Sequence, residues 1–69
     1  MKKETVYWLH TGEMERTAVT ESDFYEYLGS VVACLNDSYF IRTEDGDTIN
    51  SSDVFYASIE IIFNNPKEN

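Results

Sequence analysis

Apolar residues recur along the chain at two periods. Phe24, Leu28, Val31 and Leu35 fall at i, i+4, i+7 and i+11, the stripe of an amphipathic helix, with Tyr27 and Val32 on its flanks. Ser22, Glu26, Ser30 and Ala33 take the opposite side. Over Val54–Phe63 the period is two: Phe55, Ala57, Ile59, Ile61 and Phe63 share one side, and Tyr56, Ser58 and Glu60 share the other. Ile59 and Leu28 sit in the middle of their stripes and are the expected core anchors. The helix has a marked start. Thr20 is an N-cap whose hydroxyl accepts from a first-turn amide, Asp23 three residues on is placed to reach back, and Val19 and Phe24 stand where a hydrophobic staple forms. Glu21 and Asp23 put negative charge at the positive end of the helix dipole. Gly29 lies on the outer half, at a cost of about 1 kcal/mol relative to Ala, and Asn36 is the expected left-handed terminator. A rival reading ends the helix at Gly29 and makes Ser30–Leu35 a strand.

The remaining segments read as strands. Thr5–His10 mixes β-branched and aromatic residues, Thr11-Gly12 marks a turn in which Gly supplies positive φ, and Met14–Val19 returns. A two-residue loop there pairs Leu9 with Met14 and Tyr7 with Arg16, and turns Tyr7, Leu9 and Met14 toward the helix. Ser38–Thr43 forms a further strand, Asp45-Gly46 has the residues of a type I′ hairpin turn, Thr48-Ile49 begins the return, and Asn50–Asp53 is a second turn. The predicted order is β-β-α-β-β-β. This is an α+β fold, an antiparallel sheet of four to five strands with one helix on one face. The alternative is a small barrel of the Sm or SH3 kind. Residues 1–69 form a single domain, with 1–4 and 64–69 expected to fray.

A chain of 69 residues buries only about 60% of its unfolded surface, so its core is thin. Ten aromatics partly offset this. One cysteine excludes an intramolecular disulfide. The formal charge is −8; between Glu4 and Pro66 twelve acids face Arg16 and Arg42, a balance of −10. Such a surface repels phosphate backbones, which argues against direct nucleic-acid binding and leaves solubility or a basic partner as its use. No apolar run follows Met1-Lys2-Lys3-Glu4, and none is long enough to cross a membrane, so the expectation is a cytoplasmic protein with no membrane partner.

No catalytic motif is present, and the chain is read as a non-enzyme with no cofactor. Glu44, Asp45, Asp47 and Asp53 crowd one region, but their spacing fits no EF-hand and reads as a solvated hairpin tip. Cys34 and His10 are read as a small buried thiol and an exposed imidazole, not as a nucleophilic pair. The aromatics are the more informative feature. Trp8, Tyr39 and Tyr56 are expected on the sheet face away from the helix and, with Ile62, form the predicted protein-binding surface. The long, nearly uncharged strand Val54–Phe63 argues for a homodimer or higher oligomer formed through the strands. The functional expectation is a protein-binding module. The alternatives are a structural self-associating protein, or an acidic DNA mimic that blocks a nucleic-acid-binding protein.

The succession of a Gly-turn hairpin, a capped acidic helix, Phe40-Ile41, Asp45-Gly46, Ile49-Asn50 and Val54 to Ile59-Glu60 resembles small uncharacterised proteins from phages and prophages of Gram-positive bacteria. The resemblance spans most of the chain and rests on structural positions. It implies a mobile-element origin and no particular activity.

Overall fold

The computed structural model describes residues 2–34 and 37–64. In chain order these build β1 (Lys2–His10), β2 (Arg16–Val19), α1 (Glu21–Val32), β3 (Phe40–Arg42), β4 (Thr48–Asn50), a 3-10 turn (Ser51–Asp53) and β5 (Tyr56–Asn64). The fold is α+β with one helix, and the strand and helix order is the expected one. The strands do not make a single sheet. β2-β1-β5 form a three-stranded antiparallel sheet, and β3-β4 pair only with each other. Neither sheet closes into a barrel. The short hairpin is tied to the larger sheet at its tip, where the Glu44 amide donates to the Ala18 carbonyl at 2.8 Å.

α1 begins as its sequence dictates. The Asp23 amide donates to Thr20 Oγ1 at 3.1 Å, and the Phe24 amide to the Thr20 carbonyl at 2.9 Å. Val19 and Phe24, the two ends of the staple, are both buried in the core. The helix runs through Gly29, so the rival strand over 30–35 does not form. It ends earlier than expected. Cys34, at φ 58°, takes the left-handed position, and the Ala33 and Cys34 amides close on Gly29 and Val31. Leu35 and Asn36, the expected end of the stripe and terminator, lie outside the described residues. Val31 and Val32 are exposed, so the buried stripe stops at Leu28.

Among the described residues, Leu9, Val19, Phe24 and Ile41 are the buried apolar ones, with Tyr7, Tyr27, Leu28, Tyr39, Ile49, Val54 and Ala57 packed around them. Both the helix and the β3–β4 hairpin therefore close on the three-stranded sheet. Tyr7 meets Phe24 at 5.1 Å between ring centroids, which fixes the odd-numbered side of β1 as the helix side.

The first hairpin departs from its expected register. His10 pairs with Arg16, Leu9 with Thr17, Trp8 with Ala18 and Tyr7 with Val19. The loop is five residues long, closed by the Thr11 amide on the Glu15 carbonyl at 3.1 Å. Gly12 does not use positive φ. Leu9 and Tyr7 do face the helix, but Met14 lies in the loop and is 92% exposed. The β3–β4 turn is also not type I′. The Gly46 amide bonds to the Thr43 carbonyl, Gly46 alone of the pair has positive φ (90°), and the Thr43 amide bonds to the Asp47 carbonyl. That is a type I turn followed by a left-handed glycine, the pattern of a longer hairpin loop.

Lys2–Glu4, expected to fray, are the first rungs of the β1–β5 ladder, from Lys2 opposite Asn64 to His10 opposite Tyr56. The tail beyond Asn64 is outside the described residues. β2 accompanies β1 only over Tyr7–His10. Lys2–Val6 and Glu60–Asn64 therefore continue as a two-stranded ribbon past the end of β2. Five residues of strand reach about 17 Å. The molecule is accordingly long, 49 × 22 × 21 Å, with a radius of gyration of 13.9 Å. A compact chain of this length has about 11 Å.

Candidate functional site

Ladder pairing fixes what the ribbon presents. Directly opposed residues share a face, so Lys3 with Phe63 and Thr5 with Ile61 stand on the helix side, and Ile59 stands beside Tyr7 at the foot. Ala57, next along this side, meets the core; Ile59, Ile61 and Phe63 do not, and are 47%, 50% and 63% exposed. The alternation expected for β5 is thus correct, and the expectation that Ile59 anchors the core is not. Tyr25, edge-on to Tyr7 at 6.0 Å, borders the patch from the first turns of α1 and is half-exposed. Glu21 lies at the same boundary. Burial, then the Glu21 carboxylate and Tyr25, push the Tyr7 phenol above its usual range. The outer edge of β5 pairs with no described strand. An uncovered apolar row beside an open strand edge is the usual mark of a contact surface.

The opposite face holds three of the four residues singled out from sequence. Trp8 and Ile62 stand there by register, and Tyr56 pairs with His10. Their side chains are partly engaged within the chain. Trp8 Nε1 donates to Glu60 Oε1 at 2.8 Å, and the Arg16 guanidinium lies 3.9 Å from the indole centroid. Tyr56 stacks on His10 with centroids 4.0 Å apart and planes 9° from parallel. Tyr39 is not on this surface. It packs against the core, with its amide held by Ser51 Oγ at 3.0 Å, because the segment before Phe40 belongs to the separate hairpin sheet. Its buried hydroxyl has no partner among the described residues.

Two chemistry-bearing residues are placed opposite to expectation. His10 is 8% exposed beneath Tyr56, with Nε2 2.7 Å from Ser58 Oγ, and Cys34 is exposed at the end of α1. The structure does not bring them together. Among the described residues, no three His, Cys, Asp or Glu side chains stand as a metal-holding group. The acidic hairpin tip instead satisfies itself: the Thr43 hydroxyl donates to Asp45 Oδ1, and the Asp47 amide donates to Thr43 Oγ1 at 3.0 Å. The Thr43 hydroxyl, and the Asp47 amide where it also reaches Asp45 Oδ1 at 3.3 Å, hold the Asp45 carboxyl below the usual carboxylate range. A shallow groove of about 690 Å³ opens between Glu15, Phe40, Asn50, Asp53 and Phe55. Phe55, expected on the buried side of β5, precedes that strand and is exposed at the groove wall. The groove holds no convergent set of reactive groups.

The ribbon itself was not foreseen. Its signal was present in the unequal strand lengths, since the long apolar alternation of β5 had only a short partner in the predicted first hairpin. No family model, no curated protein and no solved structure matches the chain.

Proposed function

We propose that this chain is a non-enzymatic protein-binding module whose contact element is the projecting β1–β5 ribbon. The observation that carries the reading is the row Ile59, Ile61 and Phe63, about half-exposed on the helix side of β5, the last two on a strand pair that no third strand or helix among the described residues covers. Leaving three large apolar side chains in water forgoes a large part of the roughly 1.5–3 kcal/mol each contributes when buried. Against four buried apolar residues among those described, that is a substantial fraction of the hydrophobic stabilisation. Binding recovers it. The acids lie on β1, the first loop, α1, the segment before β3, the β3–β4 tip, the 3-10 turn and β5, so the apolar row rather than the charge distinguishes one surface from the rest. The same reading keeps the expectation of a cytoplasmic chain and, on the strength of the sequence resemblance, of one encoded by a phage or prophage.

The test compares the wild-type chain with Ile61→Lys, each immobilised and exposed to a lysate of the cells that make it. Proteins retained by the wild type and lost by the variant, further copies of the chain included, are the expected result. Identical retention by both removes the ribbon as a contact element. The variant replaces a half-exposed side chain, so its circular dichroism spectrum and melting curve should stay close to wild type.

A further inference from the structure

We infer that the partner of the ribbon is a second copy of this chain, docked face to face and antiparallel on the helix side of the overhang. The inference rests on the ribbon being a contact element and names what it contacts. The first argument is one of layers. A sheet face is normally covered by a second layer of structure. Here α1 is that layer over Tyr7 and Leu9, and it starts at Glu21, so among the described residues Lys2–Val6 and Glu60–Asn64 have none. A second ribbon laid over the first fills the vacant part of the layer and ends against the start of α1. A two-fold axis through the overhang makes the same fit twice and occupies this face in both copies, so association through it stops at two.

The second argument is charge complementarity. The tip of the ribbon carries Lys2 and Lys3, in a chain whose net charge is −8. Lys3 shares the helix side with Phe63. The foot carries Glu21 beside Tyr7. Antiparallel docking lays each basic tip on the other copy's acidic foot, giving two symmetry-related Lys3 to Glu21 pairs around an apolar centre. Strand addition at the β5 edge would satisfy backbone groups and give Ile61 and Phe63 lateral neighbours, but it would lay no second layer over their face. The exposed faces therefore favour stacking over edge pairing. The four side chains Tyr25, Ile59, Ile61 and Phe63 and their neighbours give an interface of roughly 1,000 Å² in total, at the low end for specific complexes. The dimer is accordingly a weak, reversible one.

Sedimentation equilibrium of the full chain decides this, over about 10 µM to about 1 mM, at moderate salt where repulsion between the acidic copies is screened. Expected is a mass rising from the 8.0 kDa monomer toward twice that value. Phe63→Lys should weaken association at least tenfold with an unchanged melting curve. Lys3→Glu and Glu21→Lys should each weaken it, and Lys3→Glu/Glu21→Lys in one chain should restore it, because the swapped pair still meets its complement across the axis. A monomer throughout overturns the inference, as does a dimer that Phe63→Lys leaves intact or whose charge reversals are not mutually rescued. A monomer that still retains lysate proteins through Ile61 overturns the second copy as partner while the ribbon's role as a contact element stands.

Discussion

Trp8 and Glu60 lie 52 residues apart, yet the indole Nε1 of one donates to the carboxylate of the other at 2.8 Å. Glu60 stands opposite Val6, so the bond runs diagonally across the β1–β5 ladder. Arg16 closes the group from β2, over the indole face and 3.8 Å from the same carboxylate oxygen. One acid thus links all three strands at the point where the ribbon leaves the body. Half-exposed charge-assisted contacts are modest, so Glu60→Ala should destabilise the domain by about 1 kcal/mol. Glu60→Gln keeps an acceptor and should retain most of that. Trp8 is the sole tryptophan, and its emission should shift in the alanine variant. Equal urea midpoints for Glu60→Ala and wild type would show that the trio contributes nothing.

Thr20→Ala should also cost about 1 kcal/mol, because the Asp23 amide loses its acceptor at the start of α1. Thr20→Ser keeps the hydroxyl and should fall near wild type. The comparison is made on thermal midpoints of the two variants, and a cap without energetic weight would leave them equal.

The two hairpins show where sequence reading works and where it stops. The start of α1 was legible because capping is local chemistry: Thr20, Asp23, Val19 and Phe24 all lie within six residues. The faces of β5 were legible because a strict period of two admits one assignment. The first hairpin's register was not. Its return segment carries Met14, Ala18 and Val19 on both parities, so a slip meets no penalty on either face. The five-residue loop is set by a backbone bond between Thr11 and Glu15 that no side chain announces. Tyr39 was misplaced for a related reason. Nothing local shows that Phe40–Arg42 pairs with β4 alone and leaves the preceding residue to pack inward. The ribbon was hidden because it depends on where β2 and α1 cease to cover β1, which is a property of the assembled chain.

Acid should loosen the β3–β4 tip through Asp45. Its charged form accepts from the Thr43 hydroxyl and the Asp47 amide, so its pKa in the fold is below the ordinary carboxylate value. A depressed pKa means that the stabilisation is fully present above the unfolded value of about 3.9 and is lost as pH falls through the folded value. A carboxyl-carbon NMR titration should place the Asp45 midpoint below that of an unfolded peptide. Thr43→Val removes the leading donor and should move it upward. An Asp45 midpoint that ignores this substitution would mean the Thr43 bond does not hold the charge.

Phe24 and Ile59 separate the core from the ribbon. Phe24 opens the apolar stripe of α1 and Ile59 lies in the middle of that of β5, so sequence periodicity puts both on apolar faces. The structure buries only the first. Phe24 is buried between Tyr7 and Tyr25, with centroids at 5.1 and 5.3 Å, and belongs to the four-residue core. Ile59 pairs with Tyr7 at the foot of the overhang, and about half of its surface faces water. Truncating a fully enclosed Phe leaves a cavity on all sides and costs about 3–5 kcal/mol. That approaches the whole stability of so small a domain, so Phe24→Ala should be largely unfolded at room temperature. At Ile59 solvent enters the space on one side, no closed cavity forms, and the cost should be about 1 kcal/mol, as for a partly exposed site. Urea unfolding measured at low protein concentration, where the monomer dominates, checks both. Raising the concentration into the range where copies associate adds a further term for Ile59 alone, because the folded dimer buries what the monomer exposes. An Ile59→Ala penalty as large as that of Phe24→Ala in the dilute monomer would mean that the helix layer extends over the foot of the ribbon.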